Sequence, residues 1–234
     1  SMNDLLYYIA SFIAVAIVLS LHEFSHAFVA YRCGDPTAKL NGRLTVNPLA
    51  HFDLLGLIMF TFAGFGWAKP VPINPYNFKH YKRGLAFTAI AGVVMNYLSA
   101  FLFYPLYLLI LYYVRLPWAP INYFLQMLPF LMYVYSISFC VFNLIPLPPL
   151  DGWRVVEAVN HRRGKVFRFF QRYGNIILLV LIGIHFLVNI LSRFEVFLIA
   201  AQIFGYIDIL GFVMNFVTSY VAWPIEALWG LIFR

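Results

Sequence analysis

Two histidines four residues apart, with a glutamate directly after the first, stand at His22-Glu23-Phe24-Ser25-His26. On a helix a four-residue step turns about 40° and rises about 6 Å, so both imidazoles face one point and can hold one metal ion. Glu23 lies beside them, where a carboxylate can take a proton from metal-bound water and return it to a leaving amine. The flanking residues are apolar, and three ionisable groups within five residues of a lipid-buried helix are costly unless paired or liganded. The chemistry that fits is hydrolysis by a metal-activated water; the bland reading is a hydrogen-bonded polar cluster.

A catalytic zinc takes three protein ligands and keeps one position open for water. The candidate for the third is Asp151, which closes the stretch Phe142-Asn-Leu-Ile-Pro-Leu-Pro-Pro-Leu-Asp-Gly152. There three prolines stop a helix and Gly152 permits a sharp turn. Alone, Asp151 would read as a helix cap; beside the two histidines it completes a ligand set for one Zn2+ per chain.

These residues need a membrane scaffold. Of 234 residues, 63% are hydrophobic and 11% charged, far from the roughly 25% charged of an ordinary soluble domain. Apolar runs suited to spanning helices lie at 5–31, 84–114, 122–145, 174–192 and 195–218, with a shorter run at 54–66. Thirteen residues of helix rise only about 20 Å against a hydrocarbon core of about 30 Å. If 54–66 crossed, the sixteen Lys and Arg would divide eleven to five, with the larger share outside. If it re-enters, fourteen share one side and only Arg115 and Arg193 lie opposite, as the positive-inside rule asks.

The expected architecture is an all-α polytopic membrane protein of five full spans, N-terminus outside, with a short re-entrant segment at 54–66. His22, His26 and Asp151 then share the cytoplasmic side. Asn41-Gly42, flanked by alternating residues within 37–46, is a type I′ turn signal and predicts a small β-hairpin at the membrane face. An edge of that hairpin could pair with unwound substrate backbone. Residues 67–84, with three prolines and four basic residues, predict a non-helical loop before a helix resuming near Leu85.

HEFSHA in the first helix, TVNPLAHFDLLG and GWAKPVPINP after it, AGVVMN in the next helix and FNLIPLPPLDG together resemble the site-2 proteases over roughly residues 18–157. The resemblance implies an intramembrane zinc metalloprotease in which His22, His26 and Asp151 bind zinc and Glu23 is catalytic. It also implies that Asn143, eight residues before the aspartate, holds substrate near the scissile carbonyl. The expected substrates are transmembrane segments of membrane-anchored regulators or signal-peptide remnants, cut within or beside the span. The implied setting is a prokaryotic cell membrane with the active site towards the cytoplasm, in a minimal form without PDZ or CBS domain. Residues 1–157 read as the catalytic membrane core, and 158–234 as a basic cytoplasmic connector with the C-terminal spans. Ser25 stands where the family commonly has glycine, and Val93 where it usually has proline; neither removes a ligand or the base, so an active enzyme is expected.

The net charge of +7 comes from basic residues between apolar segments, which favours the lipid bilayer over nucleic acid as a partner. The run from Arg154 to Arg172 reads as a topology and anionic-lipid determinant. Cys33 and Cys140 are too few for a disulfide framework and read as inert. Ser1 ahead of Met2 reads as a remnant of expression, and the first apolar run lacks a small-residue cleavage site, so it should stay in the membrane. A metal-ion transporter using the same His and Asp groups is the rival class. It would set the ligands between repeated halves, which the sequence lacks, and would give Glu23 no task. An inactive scaffold is disfavoured by the intact ligands and base. His51 reads as a structural hydrogen bonder, Asn96 as an interhelical one, and His185 with Asp208 as a helix-to-helix contact.

Overall fold

The computed structural model describes residues 1–63, 66–160 and 162–233. Among the described residues five helices are long and apolar enough to cross a membrane: α1 (Met2–Arg32), α5 (Tyr81–Tyr113), α6 (Ala119–Leu144), α8 (Lys165–Leu191) and α10 (Ile209–Ile232). Between them lie the short helices α2 (Thr37–Leu40), α3 (Pro48–His51), α4 (Leu54–Ala63), α7 (Asp151–Val159) and α9 (Leu198–Gly205). The chain is a multi-pass membrane protein.

α1, α5 and α6 pack against one another and form the core that carries the site. Lipid is as apolar as the side chains, so such helices associate by close packing rather than by hydrophobic exclusion. Small residues permit that approach: Ala10, Ala14 and Ala100 are fully buried in one cluster with Val18, Ile137 and Ile225. Hydrogen bonds across the helices add to it. Ser11 Oγ and Tyr135 OH lie 2.6 Å apart between α1 and α6, and Tyr133 OH donates to Glu226 Oε1 at 2.7 Å between α6 and α10. The outer faces carry exposed apolar side chains such as Leu98, Leu102, Phe212 and Trp223, which suits a lipid surroundings.

Two expected elements find no support among the described residues. Among the described residues there is no β-strand, so the hairpin at 37–46 is not formed. A type I′ turn needs positive φ at both central residues, yet Asn41 has φ −91 and only Gly42, at φ +67, is left-handed. The pair instead ends α2. Gly42 N–H donates to Lys39 O and Arg43 N–H to Ala38 O, a Schellman-type C-cap in which glycine takes the left-handed position. The edge that would have paired with substrate therefore does not exist.

The segment at 54–66 is, in its described part, the ten-residue helix α4 packed on α1. Such a helix rises about 15 Å and falls short of a crossing. Gly64 and Phe65, where a re-entrant segment would turn back, lie outside the described residues, and the structure supports a short helix here rather than a re-entrant element.

The last spans shift as well. The run at 195–218 is broken at Gly205 to Asp208, because Asp208 caps the start of α10 by accepting from Gly211 N–H at 2.7 Å. The fifth span therefore lies at 209–232. At its start Asp208 Oδ2 meets His185 Nδ1 at 2.8 Å, joining α8 to α10 as the helix-to-helix contact expected of the two.

Candidate metal centre

His22 and His26 are both buried on the face of α1 that meets α5. Their Nε2 atoms lie 3.0 Å apart. Asp151 is the first residue of α7; its Oδ2 lies 3.3 Å from His22 Nε2 and 3.1 Å from His26 Nε2. The three prolines after α6 redirect the chain, and Gly152 supplies room rather than a turn: a Cβ there would meet the carbonyl oxygens of Leu144 and Ile145 at 2.5 and 2.6 Å. Trp153 then stacks on Phe167 with ring centroids 4.9 Å apart and seats α7.

The orientation of each imidazole is fixed from its far side. His26 Nδ1–H donates to Thr88 O on α5 at 2.6 Å, which leaves Nε2 with its lone pair. His22 Nδ1 lies 3.0 Å from the side-chain amide of Asn96, about two helical turns beyond Thr88 along α5. Asn96 is fully buried, and its Oδ1 has no partner when Nδ2 faces the ring. With Oδ1 facing the ring it accepts from Nδ1–H, the buried oxygen is satisfied, and His22 Nε2 also keeps its lone pair. Gly92, four residues before Asn96, leaves the space both rings fill: a Cβ there would lie 2.3 Å from His22 Cε1 and 2.5 Å from His26 Nε2.

Three electron-rich atoms thus face one another in a buried place, and Asp151 Oδ2 has no hydrogen-bond partner among the described residues. Without a cation such an arrangement is repulsive and desolvated. Ligand atoms around a tetrahedral zinc with bonds of about 2.0–2.1 Å lie about 3.3–3.4 Å apart, within a few tenths of an ångström of the edges found. The donor set, two imidazoles and a carboxylate, suits zinc.

Glu23 is half-buried beside this cluster, and its Oε2 accepts from Val71 N–H at 3.0 Å. The loop carrying Val71 is clamped at both ends. Arg43, buried, donates from Nη2 to Lys69 O at 2.5 Å. Asp35, fully buried, accepts from Asn74 N–H at 2.7 Å, Asn77 Nδ2 at 2.8 Å, and from the Thr37 hydroxyl and N–H. Burial alone would raise the Asp35 pKa; these hydrogen bonds outweigh it and lower it.

The structure therefore gathers His22, His26 and Asp151, with Glu23 alongside. It does not bring Asn143 into that cluster: its Nδ2 donates to Phe139 O of its own helix at 3.1 Å. His51 is the structural residue expected, donating from Nε2 to Thr45 O at 2.7 Å. Sequence reasoning missed Gly92, Thr88, Val71, Asp35 and Arg43. Only Gly92 and Asn96 left a trace, as a small residue and an amide four apart on an apolar helix, facing the same way as the histidines.

The pattern of peptidase family M50 matches residues 118–188. Over 187 residues the chain is 38% identical to "Putative zinc metalloprotease YwhC" of Bacillus subtilis, covering 77% of this chain and 85% of that protein. It is 30% identical over 173 residues to "Putative zinc metalloprotease Rip2" of Mycolicibacterium smegmatis, covering 70% of this chain and 62% of that one. The Rip2 of Mycobacterium tuberculosis is 33% identical over 175 residues, with 70% and 63% covered. The chain thus spans less than two thirds of each Rip2 protein. No solved structure matches it. Five spanning helices and these likenesses define a membrane-embedded metalloprotease. The chain belongs to the site-2 protease family, peptidase family M50.

Proposed function

We propose that the protein is an intramembrane zinc endopeptidase that cuts peptide bonds within or next to the transmembrane segments of membrane-anchored substrates. His22, His26 and Asp151 hold one zinc ion, and Glu23 is the general base and then acid. The observation that carries this reading is the triangle of buried ligand atoms with edges of 3.0, 3.1 and 3.3 Å, lined by oriented imidazoles and one orphaned carboxylate oxygen. Similarity to proteins named as zinc metalloproteases supports the metal.

Bound zinc supplies a Lewis acid that polarises the scissile carbonyl and acidifies water. The chain supplies the rest. Val71 N–H holds Glu23 Oε2, so Oε1 is left to take a proton from the attacking water and hand it to the amide nitrogen as the bond breaks. Thr88 and Asn96 keep both imidazoles in the ligating tautomer, and the α1, α5 and α6 packing excludes bulk water around them. Asn143, at the end of α6, lies eight residues before Asp151 and is assigned to holding the unwound substrate strand, for which its amide must leave Phe139 O. α4 is too short to cross, so fourteen of sixteen basic residues share a side with the ends of α1 and α6. By the positive-inside rule the site faces the cytoplasm.

The test is purified protein with its zinc content measured, alongside co-expression of single-span substrates with wild type and Glu23→Gln. About one zinc per chain is expected, lost on removing His22, His26 or Asp151. Glu23→Gln should keep zinc and fold but lose cleavage. Wild-type cleavage rates in that variant would sink the mechanism, and unchanged zinc in Asp151→Ala would remove that residue from the site.

A further inference from the structure

Next to the metal centre lies a cleft of about 380 Å³, walled by the 70–75 loop, the first turns of α5, and α7. Two of its lining residues tie it to the chemistry: Val71 N–H bonds Glu23, and Thr88 O orients His26.

The cleft also carries charge. α7 starts at Asp151, so Arg154 stands about 4.5 Å and Glu157 about 9 Å further along the helix axis. Both are half-buried and line the cleft. Although three apart on one helix, they form no ion pair with each other or with another residue among those described. Arg163, which also lines the cleft, is held at φ +39, and its guanidinium lies 5.8 Å over the Phe167 ring. Two guanidinia, of half-buried Arg154 and exposed Arg163, stand against one carboxylate, and a planar, forked cation suits a carboxylate ligand.

We propose that this cleft receives the substrate segment adjoining the scissile bond on the aqueous side, and that Arg154, aided by Arg163, selects substrates with an acidic side chain there. An extended peptide advances about 3.3 Å per residue, so the rise of about 4.5 Å from Asp151 to Arg154, lengthened by the reach of the arginine side chain, sets the acidic position roughly two to four residues from the cut. The inference rests on the protease reading above.

The test uses the full chain in bicelles and single-span substrates identical except for Asp, Asn or Lys at each of those positions. The readout is the ratio of kcat/KM for the Asp and Asn substrates within one enzyme, so that any loss of folded or zinc-loaded protein cancels. Wild type should favour Asp about tenfold at one position, the scale of a charge-assisted hydrogen bond partly screened by water. Arg154→Gln should bring that ratio near one, Arg154→Glu should favour Lys, and Arg163→Gln should lower the ratio more mildly. Raising salt from about 50 to about 500 mM should lower the wild-type ratio. A ratio near one in wild type, or one unchanged in both Arg154 variants, overturns the proposal while Glu23-dependent cleavage of the Asn substrate leaves the protease reading standing. Rates that follow the anionic lipid fraction and ignore substrate charge would assign the guanidinia to headgroups and overturn it too. Absence of Glu23-dependent cleavage of every substrate removes the protease reading, and this proposal with it.

Discussion

Adding one methyl group at Gly92 should empty the metal centre without harming the helix that carries it. A Cβ at this position would lie 2.3 Å from His22 Cε1, 2.5 Å from His26 Nε2 and 2.7 Å from His22 Nδ1. Ordinary contact begins near 3.4 Å, so the rings must retreat by about 1 Å, whereas metal–ligand distances tolerate about 0.2 Å. Retreat is blocked behind them: His26 is tied to Thr88 O at 2.6 Å, and His22 to Asn96 at 3.0 Å. Alanine is the better helix former by about 1 kcal/mol, so α5 itself loses nothing. Displacing both ligands should lower zinc affinity at least as much as losing an outer hydrogen-bond partner, which costs about 10- to 100-fold. Competition against a chromogenic chelator gives the affinity, and circular dichroism with thermal melting checks the fold. Gly92→Ala binding zinc within about threefold of wild type, with His22 and His26 still required, would refute the packing of the imidazoles against α5.

Asn96→Ala should weaken zinc binding about 10- to 100-fold, and Asn96→Asp should restore much of it, since a carboxylate still accepts from His22 Nδ1–H; equal affinities in all three would deny the amide its orienting part. Asp35→Ala should release the 71–77 loop and lower kcat several-fold while zinc content holds, measured on one substrate. Because the folded pKa of Asp35 lies below its usual value, its stabilising contribution is full above about pH 4 and fades only as pH falls through the lowered value. Melting temperatures of wild type minus Asp35→Ala should therefore differ by the same amount at pH 7 and pH 5. Single cysteines in the 69–80 loop and at 162–165, in a background without Cys33 and Cys140, should label from one face and those at 115–118 from the other; opposite labelling of the two basic loops would overturn the assigned orientation.

The closeness of His22 and His26 was legible because its signal is local and chemically dear: ionisable residues at helical spacing inside apolar sequence have few reasons to exist. Asp151 was legible only beside those histidines, since alone, after a proline-stopped helix, it reads as a cap. Asn41-Gly42 misled because one dipeptide serves two turns. Glycine after asparagine suits a hairpin, and equally a helix C-cap, and the choice fell to Asp35, whose carboxylate starts α2 by taking the Thr37 N–H. Nothing near Asp35 in the sequence announces partners at Asn74 and Asn77, since that contact closes a gap of about 40 residues. The break before α10 was hidden by hydropathy, which sums over Gly205 and Asp208 as readily as over a continuous helix. Thr88 and Val71 could not be found at all, because each acts through its backbone and backbone is the same in every residue.

That last fact bears on how the protein can change over generations. The two imidazoles are secured by partners of different heritability. A mutation at position 96 deletes the partner of His22, whereas no exchange of side chain at position 88 deletes the carbonyl that holds His26; only a shift in the register of α5 would do so. Thr88 meanwhile lines the cleft. Drift at this codon can thus reshape what the cleft accepts while leaving the chemistry intact, so that lineages are free to explore new substrates at position 88 and are held to an acceptor at position 96.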